Sequence, residues 1–205
     1  MDNVEKFDTF FLPFEKAAYQ KSLNDRSFDE SDLSFSFGQV DVNSWKQILE
    51  LIEIKPHTSL IDLGSGAGKA AMSAAYLFKD LHVTGIELLP SLFQWGQHIL
   101  KMFSENLSSE AGLRVQLICN DFFNCELEAF QTILVNPTTF NDTLLEKLIL
   151  LLKKAAPETT IISIGRALKA PYLNKLLAGA WKMGWQPEGQ KIAVFVYKKQ
   201  MIEVL

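Results

Sequence analysis

Cysteine is scarce in this 205-residue chain: only Cys119 and Cys125 occur, and their spacing fits neither a CxxC redox pair nor a zinc-binding set. Buried thiols in a reducing compartment are the expectation. Long apolar runs are missing as well, none nearing the roughly 20 residues that span a bilayer. The opening MDNVEKFDTFFLPF is acidic where a secretion signal carries positive charge. The chain therefore reads as cytoplasmic, without membrane contact. Clustered Lys and Arg, which displace counterions from nucleic acid, do not appear either. Residues 1–35 hold eight of the 24 acids but only four of the 20 bases, leaving 16 of each for the rest, so the net charge of −4 belongs to the leading segment. A dedicated nucleic-acid binder is disfavoured. His57, His82 and His98 are scattered without metal-ligand spacing, so no metal is expected.

What is present is enough apolar residue, 48%, to fill a sizeable core. From about residue 42 the pattern alternates helix and strand, which predicts an α/β fold with a mostly parallel sheet and helices on both faces. Asp41 to Asn43 can cap a helix through Trp45, Ile48, Leu49 and Ile52, closed by Pro56. Strands are predicted at Ser59–Leu63, His82–Glu87, Val115–Cys119, Thr132–Val135, Thr159–Ile164 and Lys191–Lys199. Helices are predicted at Lys69–Lys79 and from Pro90 to Phe103. A further helix is expected behind a Thr143-to-Glu146 capping box, and another over Pro171–Met183. Trp185 is read as the start of an additional strand. Residues 1–35 read as an acidic extension, helical or partly irregular, ahead of one domain over 36–205.

The stretch Ile61-Asp-Leu-Gly-Ser-Gly-Ala-Gly-Lys69 sits between a strand and a helix. A phosphate-binding GxxxxGK loop would need glycine where Leu63 stands and a hydroxyl where Ala70 stands. A dinucleotide fingerprint would need glycine at Lys69. Asp62, just ahead of the loop, would repel a pyrophosphate but suits a cationic amine. Glu87 ends the second strand, where an acid can accept both hydroxyl protons of a ribose. Asp121 follows the third strand, where it can accept from an adenine amine while Phe122 stacks on the ring. Each feature alone has a plain structural reading: a tight turn, a solvated strand end, a turn former. Together they stand in order at the carboxyl ends of successive strands, where open α/β sheets bind ligands.

D-x-G-x-G-x-G after the first strand resembles the S-adenosylmethionine loop of class I methyltransferases. The likeness extends to Phe37-Gly38-Gln39 ahead of the first domain helix, then LIDLGSGAGK, GIE, NDF and ILVNPTTF in order. This resembles lysine methyltransferases of the disruptor-of-telomeric-silencing (Dot-one) type and their smaller relatives over roughly residues 35–165. Those proteins have Tyr-Gly-Glu, Val-Asp-Leu-Gly-Ser-Gly and Val-Asn-Asn-Phe at the matching places. The resemblance implies a Rossmann-like, seven-stranded sheet with the last strand antiparallel, and S-adenosylmethionine as cofactor. It implies cofactor contacts from Phe37, Gly38, Gln39, Asp62, Gly64, Ser65, Gly66, Gly68, Glu87, Asp121 and Phe122, with Asn136 beside the transferring methyl. It also implies a protein lysine as acceptor. Gln39 stands where the family has Glu, and Pro137 replaces the second Asn. Nucleosomal DNA is not expected as a partner, because no basic tail of the kind that grips it is present.

Asn136-Pro-Thr-Thr-Phe140 keeps a second acceptor open. Enzymes that methylate exocyclic amines of adenine use Asn/Asp-Pro-Pro-aromatic here, the aromatic stacking on a flipped base. A nucleobase or small-molecule amine is thus an alternative acceptor, and a proline-fixed turn with Phe140 packed beneath it is the plain reading. A catalytically idle binding protein built on the cofactor fold is a second class, and a dehydrogenase is a third.

Overall fold

The computed structural model describes residues 1–24, 38–52, 54–55 and 57–201. Seven strands form one sheet: β1 (Ser59–Leu63), β2 (His82–Glu87), β3 (Val115–Cys119), β4 (Thr132–Val135), β5 (Thr160–Ile164), β6 (Leu173–Trp181) and β7 (Ile192–Lys199). Their order is β3-β2-β1-β4-β5-β7-β6. The first five are parallel, and β7 runs antiparallel to both β5 and β6. This is the Rossmann-like sheet expected, with its last strand reversed. The central strands β1, β4 and β5 are buried on both faces, as parallel sheets covered by helices must be. The order reverses at β1, so the crevice beyond the ends of β1 and β4 is the topological switch point.

The helices are α1 (Asn3–Asn24), α2 (Val42–Leu51), α3 (Lys69–Leu77), α4 (Pro90–Asn106), the single turn α5 (Ser109–Gly112) and α6 (Asp142–Leu152). Asp41 caps α2, accepting from the Ser44 N–H at 2.9 Å, and Pro90 occupies the first turn of α4. The α2 and α3 helices are tied by the Trp45 indole N–H, which donates to Ala70 O at 3.0 Å in the core. Helix α1 is more than an appendage. Phe7 and Phe11 are completely buried and belong to the same core as α2, α3 and α4. Phe7 meets Phe103 edge-on at 5.9 Å, and Tyr76 of α3 lies 6.1 Å away.

Three local expectations are corrected. Residues 173–181, expected as helix within Pro171–Met183, form the edge strand β6. Its leucines recur at a spacing that suits a helix, but pairing with β7 over eight positions, through a bulge between Lys175 and Leu177, decides the conformation. Trp185 consequently begins no strand and lies in the β6–β7 connection. Helix α6 starts two residues earlier than a Thr143 cap allows: Asn141 is the cap, accepting from the Leu144 N–H at 2.9 Å. Its β-region backbone brings the amide oxygen onto the first open N–H groups before Thr143 can serve. Pro56, the expected end of α2, lies outside the described residues.

Candidate functional site

The glycine loop owes its shape to backbone angles that only glycine adopts freely. Gly64, Gly66 and Gly68 have φ of +88, +58 and +83°. The loop is hung from the neighbouring strand by the Gly64 and Ser65 N–H groups, both donating to Ile86 O at 2.9 and 2.8 Å. Its close approach to β2 depends on a fourth glycine. A Cβ on Gly85 would come within 2.7 Å of Ser65 Cβ and Oγ. A lone glycine inside HVTGIE is the sequence signal of such a close approach.

Beyond the strand ends lies a cavity of about 420 Å³, within the usual range for a small-molecule site. Gly38, Gln39, Asp62, Gly64, Ser65, Gly66, Glu87, Asp121, Phe122 and Asn136 all line it. Of the remaining expected contacts, Phe37 lies outside the described residues. Gly68 is not on the wall: a Cβ there would meet Met72 and Leu117 at 3.0 and 3.1 Å, so this glycine makes the turn into α3.

The acids are arranged unequally. Glu87 is buried and held by two backbone donors, the Gly66 N–H at 2.8 Å and the Leu89 N–H at 2.9 Å, one to each oxygen. Asp121 caps the 3-10 turn Phe122–Asn124, accepting from the Phe123 N–H at 2.9 Å. Asp62 is 5% exposed, and no hydrogen bond from the described residues reaches its carboxylate. Burial, with the nearby Glu87 charge second, raises its pKa to about 7. On the same wall Ser65 Oγ and Gln39 Nε2 are buried without a hydrogen-bond partner among the described residues. An acceptor short of a cation beside two unpaired polar atoms fits the ammonium and carboxylate of an amino-acid end.

At the opposite wall, residues 136–141 form a loop between β4 and α6. Asn136 Oδ1 accepts from the Thr138 hydroxyl and from the Thr138 N–H at 3.4 Å. The loop is clamped from below by the turn after β5. Arg166 donates to Phe140 O and pairs with Asp142 at 3.3 Å, while Ser163 Oγ donates to Arg166 O at 2.7 Å. The Phe140 ring lies parallel to Phe122, planes 7° apart and centroids 6.2 Å apart. It therefore extends the wall on which Phe122 sits.

Sequence reasoning missed Lys69, Lys147 and Trp185 as cavity residues. Trp185 covers Gly38 so closely that a Cβ there would be 2.7 Å from the indole, and the Gly184 N–H donates to Gln39 O at 2.9 Å. No local pattern announces that contact, because its two halves come from opposite ends of the domain. Lys69 had a signal, a cation immediately behind the glycines, though its partners on α1 did not. Among the described residues no group of three or more His, Cys, Asp or Glu side chains could hold a metal ion. Nor is any described helix long and apolar enough to cross a membrane.

Comparison with solved structures finds the same fold in methyltransferases. An RNA methyltransferase from Salinibacter ruber, solved with S-adenosyl-L-homocysteine, superposes at a TM-score of 0.56 with 19% identity, over 77% of this chain and 91% of that one. The N-methyltransferase NodS from Bradyrhizobium japonicum WM9, also solved with S-adenosyl-L-homocysteine, gives 0.57 at 14% identity, over 89% and 98%. TrmN from Thermus thermophilus gives 0.59 at 20% identity over 76% of this chain, which spans about half (48%) of that longer protein. At such identities the likeness is one of fold. Among curated proteins no sequence matches. The family described as histone methylation protein DOT1 matches residues 20–174. That match covers most of the chain and runs from α1 through the glycine loop and the 136–141 loop into β6, so the chain belongs to the histone methylation protein DOT1 family of class I S-adenosylmethionine-dependent methyltransferases.

Proposed function

We propose that this protein methylates a lysine amine on another protein, using the cavity beyond β1 and β4 for S-adenosylmethionine. The observation that carries the cofactor half is Asp62, buried and short of a cation, beside the unpaired Ser65 Oγ and Gln39 Nε2. Asp62 accepts the ammonium of the amino-acid end. Gln39 Nε2 and Ser65 Oγ take its carboxylate, Glu87 takes the ribose hydroxyls, and Asp121 with Phe122 takes the adenine. Glu87 is suited to that role because two backbone N–H groups fix it before any ligand arrives.

When bound, S-adenosylmethionine supplies a methyl already activated by its sulfonium, so the protein's contribution is chiefly positioning and exclusion of water. Asn136 is suited to orient the incoming amine, its rotamer being held by Thr138. An acceptor lysine must arrive neutral, and an apolar wall from Leu89, Leu134, Ile164 and Trp185 favours loss of its proton.

The family match supports a protein acceptor. The position of Phe140 weighs against a nucleobase. In the Asn-Pro-Pro-aromatic arrangement that ring must be available to stack on the acceptor base. Here Arg166 holds the Phe140 carbonyl and the ring lies parallel to Phe122, on the cofactor's side. The test is incubation with methyl-labelled S-adenosylmethionine and source-cell lysate, then identification of the labelled atom. Label on lysine Nε of protein is expected. Label confined to nucleic acid or small molecules defeats the acceptor assignment while leaving the cofactor assignment standing.

A further inference from the structure

Lys69 opens α3 directly behind the glycine loop, lines the cavity wall, and is only 8% exposed. That is an adverse place for a cation. A helix N-terminus carries partial positive charge, and a buried ammonium is costly unless paired. Both penalties are offset from one source, helix α1. Glu15 lies 2.7 Å from Lys69 Nζ, Asp8 lies 3.5 Å away, and the ammonium sits 5.5 Å over the Phe11 ring. The helix is fixed in that position by the buried Phe7 and Phe11, and by the Trp95 indole N–H donating to Phe14 O at 3.3 Å.

The chemistry of the cavity gives this triad a consequence. S-adenosylmethionine is a sulfonium cation, whereas its spent product is a neutral thioether of nearly the same shape. An ammonium left bare on the cavity wall would oppose the donor and spare the product. Apart from Asp8 and Glu15, both on α1, no acid lies within ion-pair distance of Lys69 among the described residues, so among these its charge is balanced only while α1 is docked.

We propose that Asp8 and Glu15 are positioning residues: they hold Lys69 neutralised against α1, and so allow the cavity to take the cationic donor in preference to the spent product. The inference rests on the cofactor reading above. In this arrangement the leading acidic helix is an electrostatic part of the cofactor site, acting through Lys69 without touching the ligand.

The test titrates S-adenosylmethionine and S-adenosylhomocysteine separately, by calorimetry, into the full chain and three variants: Glu15→Gln, Asp8→Asn with Glu15→Gln, and Glu15→Gln with Lys69→Met. Removing the acids should shift the donor-to-product affinity ratio toward the product by about three- to tenfold, the scale of one unit charge acting at intermediate dielectric. Adding Lys69→Met should return the ratio to its original value. If both ligands weaken in parallel and Lys69→Met restores nothing, α1 has only a packing role and the proposal is overturned. Should Glu15→Gln fail to fold, Asp8→Asn alone carries the same ratio test. A wild-type chain that binds neither ligand sinks the cofactor reading itself, an outcome distinct from parallel weakening.

Discussion

Glu87 Oε2 accepts a hydrogen bond from the Gly66 N–H at 2.8 Å, while Oε1 accepts from the Leu89 N–H at 2.9 Å. One acid at the end of β2 thus fixes the glycine loop and the entry to α4 together. Glu87→Ala should therefore do two separable things. Two backbone donors lose their acceptor, each at a cost of about 1–3 kcal/mol, so the ligand-free protein should melt several degrees lower. Affinity for S-adenosylhomocysteine should also fall by about tenfold or more, since a charge-assisted contact is removed. Glu87→Gln retains one acceptor oxygen and should recover much of the melting temperature but little of the affinity. Calorimetry that finds both variants binding like wild type would remove Glu87 from the ligand's contacts.

Asp62 makes the opposite trade between stability and binding. Its folded pKa of about 7 exceeds the unfolded value of 3.8, because burial and then the Glu87 charge disfavour the ionised form. A raised pKa means the folded state holds the proton more tightly. The resulting stability is fully present below 3.8 and is lost as pH climbs through about 7, on the order of 4 kcal/mol in all. Asp62→Asn should thus raise the ligand-free melting temperature at pH 8 and leave it unchanged near pH 3.5. Ligand affinity should show the reverse sign. An ammonium needs the carboxylate, so wild-type affinity for S-adenosylhomocysteine should drop about tenfold per pH unit on acidification below 7. The Asn variant should bind weakly with a flat profile. A flat wild-type profile between pH 5.5 and 8.5 would separate Asp62 from the ammonium.

The elements that could be read from sequence are those whose cause is local. Asp41 capping α2, Pro90 opening α4, and the apolar runs of β1, β4 and β5 each follow from neighbouring residues, and so does the order of Asp62, Glu87 and Asp121 along the strand ends. Apart from the α6 cap, a choice between two nearby residues, the errors share a different cause. Residues 173–181 satisfy a helical period, but an edge strand is decided by its partner, here β7, and no window of sequence contains that pairing. Trp185 against Gly38 and Lys69 between Asp8 and Glu15 are likewise contacts between remote segments. The site was thus legible where strand ends supply it, and illegible where distant elements close over it.

Phe140 offers a direct discrimination between acceptors. Its ring is parallel to Phe122 at 6.2 Å, and both rings line the cavity. If Phe140 belongs to the cofactor's side, Phe140→Ala should weaken S-adenosylhomocysteine binding by about three- to tenfold, the range of an aromatic pair beyond simple burial. Phe122→Ala should weaken it at least as much. If the ring instead stacks on an acceptor base, Phe140→Ala should leave that affinity untouched and abolish transfer to nucleic acid. Isothermal titration with the two variants decides between these outcomes.

Asn136 carries the acceptor half of the argument, and its side chain is already engaged. Asn136 Oδ1 accepts from the Thr138 hydroxyl, which lies also 3.3 Å from Ile164 O, and the adjacent Gly165 has no room for a Cβ: one would fall 2.1 Å from that hydroxyl. The amide is therefore held in one rotamer between the 136–141 loop and the turn after β5. Such fixation is what an orienting group requires, since misplacing a reacting amine by about 1 Å can cost as much as a hundredfold in rate. Asn136→Ala should lower methyl transfer to the protein fraction of lysate by about tenfold to a hundredfold, with S-adenosylhomocysteine affinity nearly unchanged. Thr138→Val keeps the amide but releases its rotamer, and should give a smaller loss of rate, again without loss of affinity. Equal losses in the two variants would mean that Asn136 acts only through the shape of the turn. Undiminished transfer in both would move the acceptor's contacts elsewhere on the cavity wall.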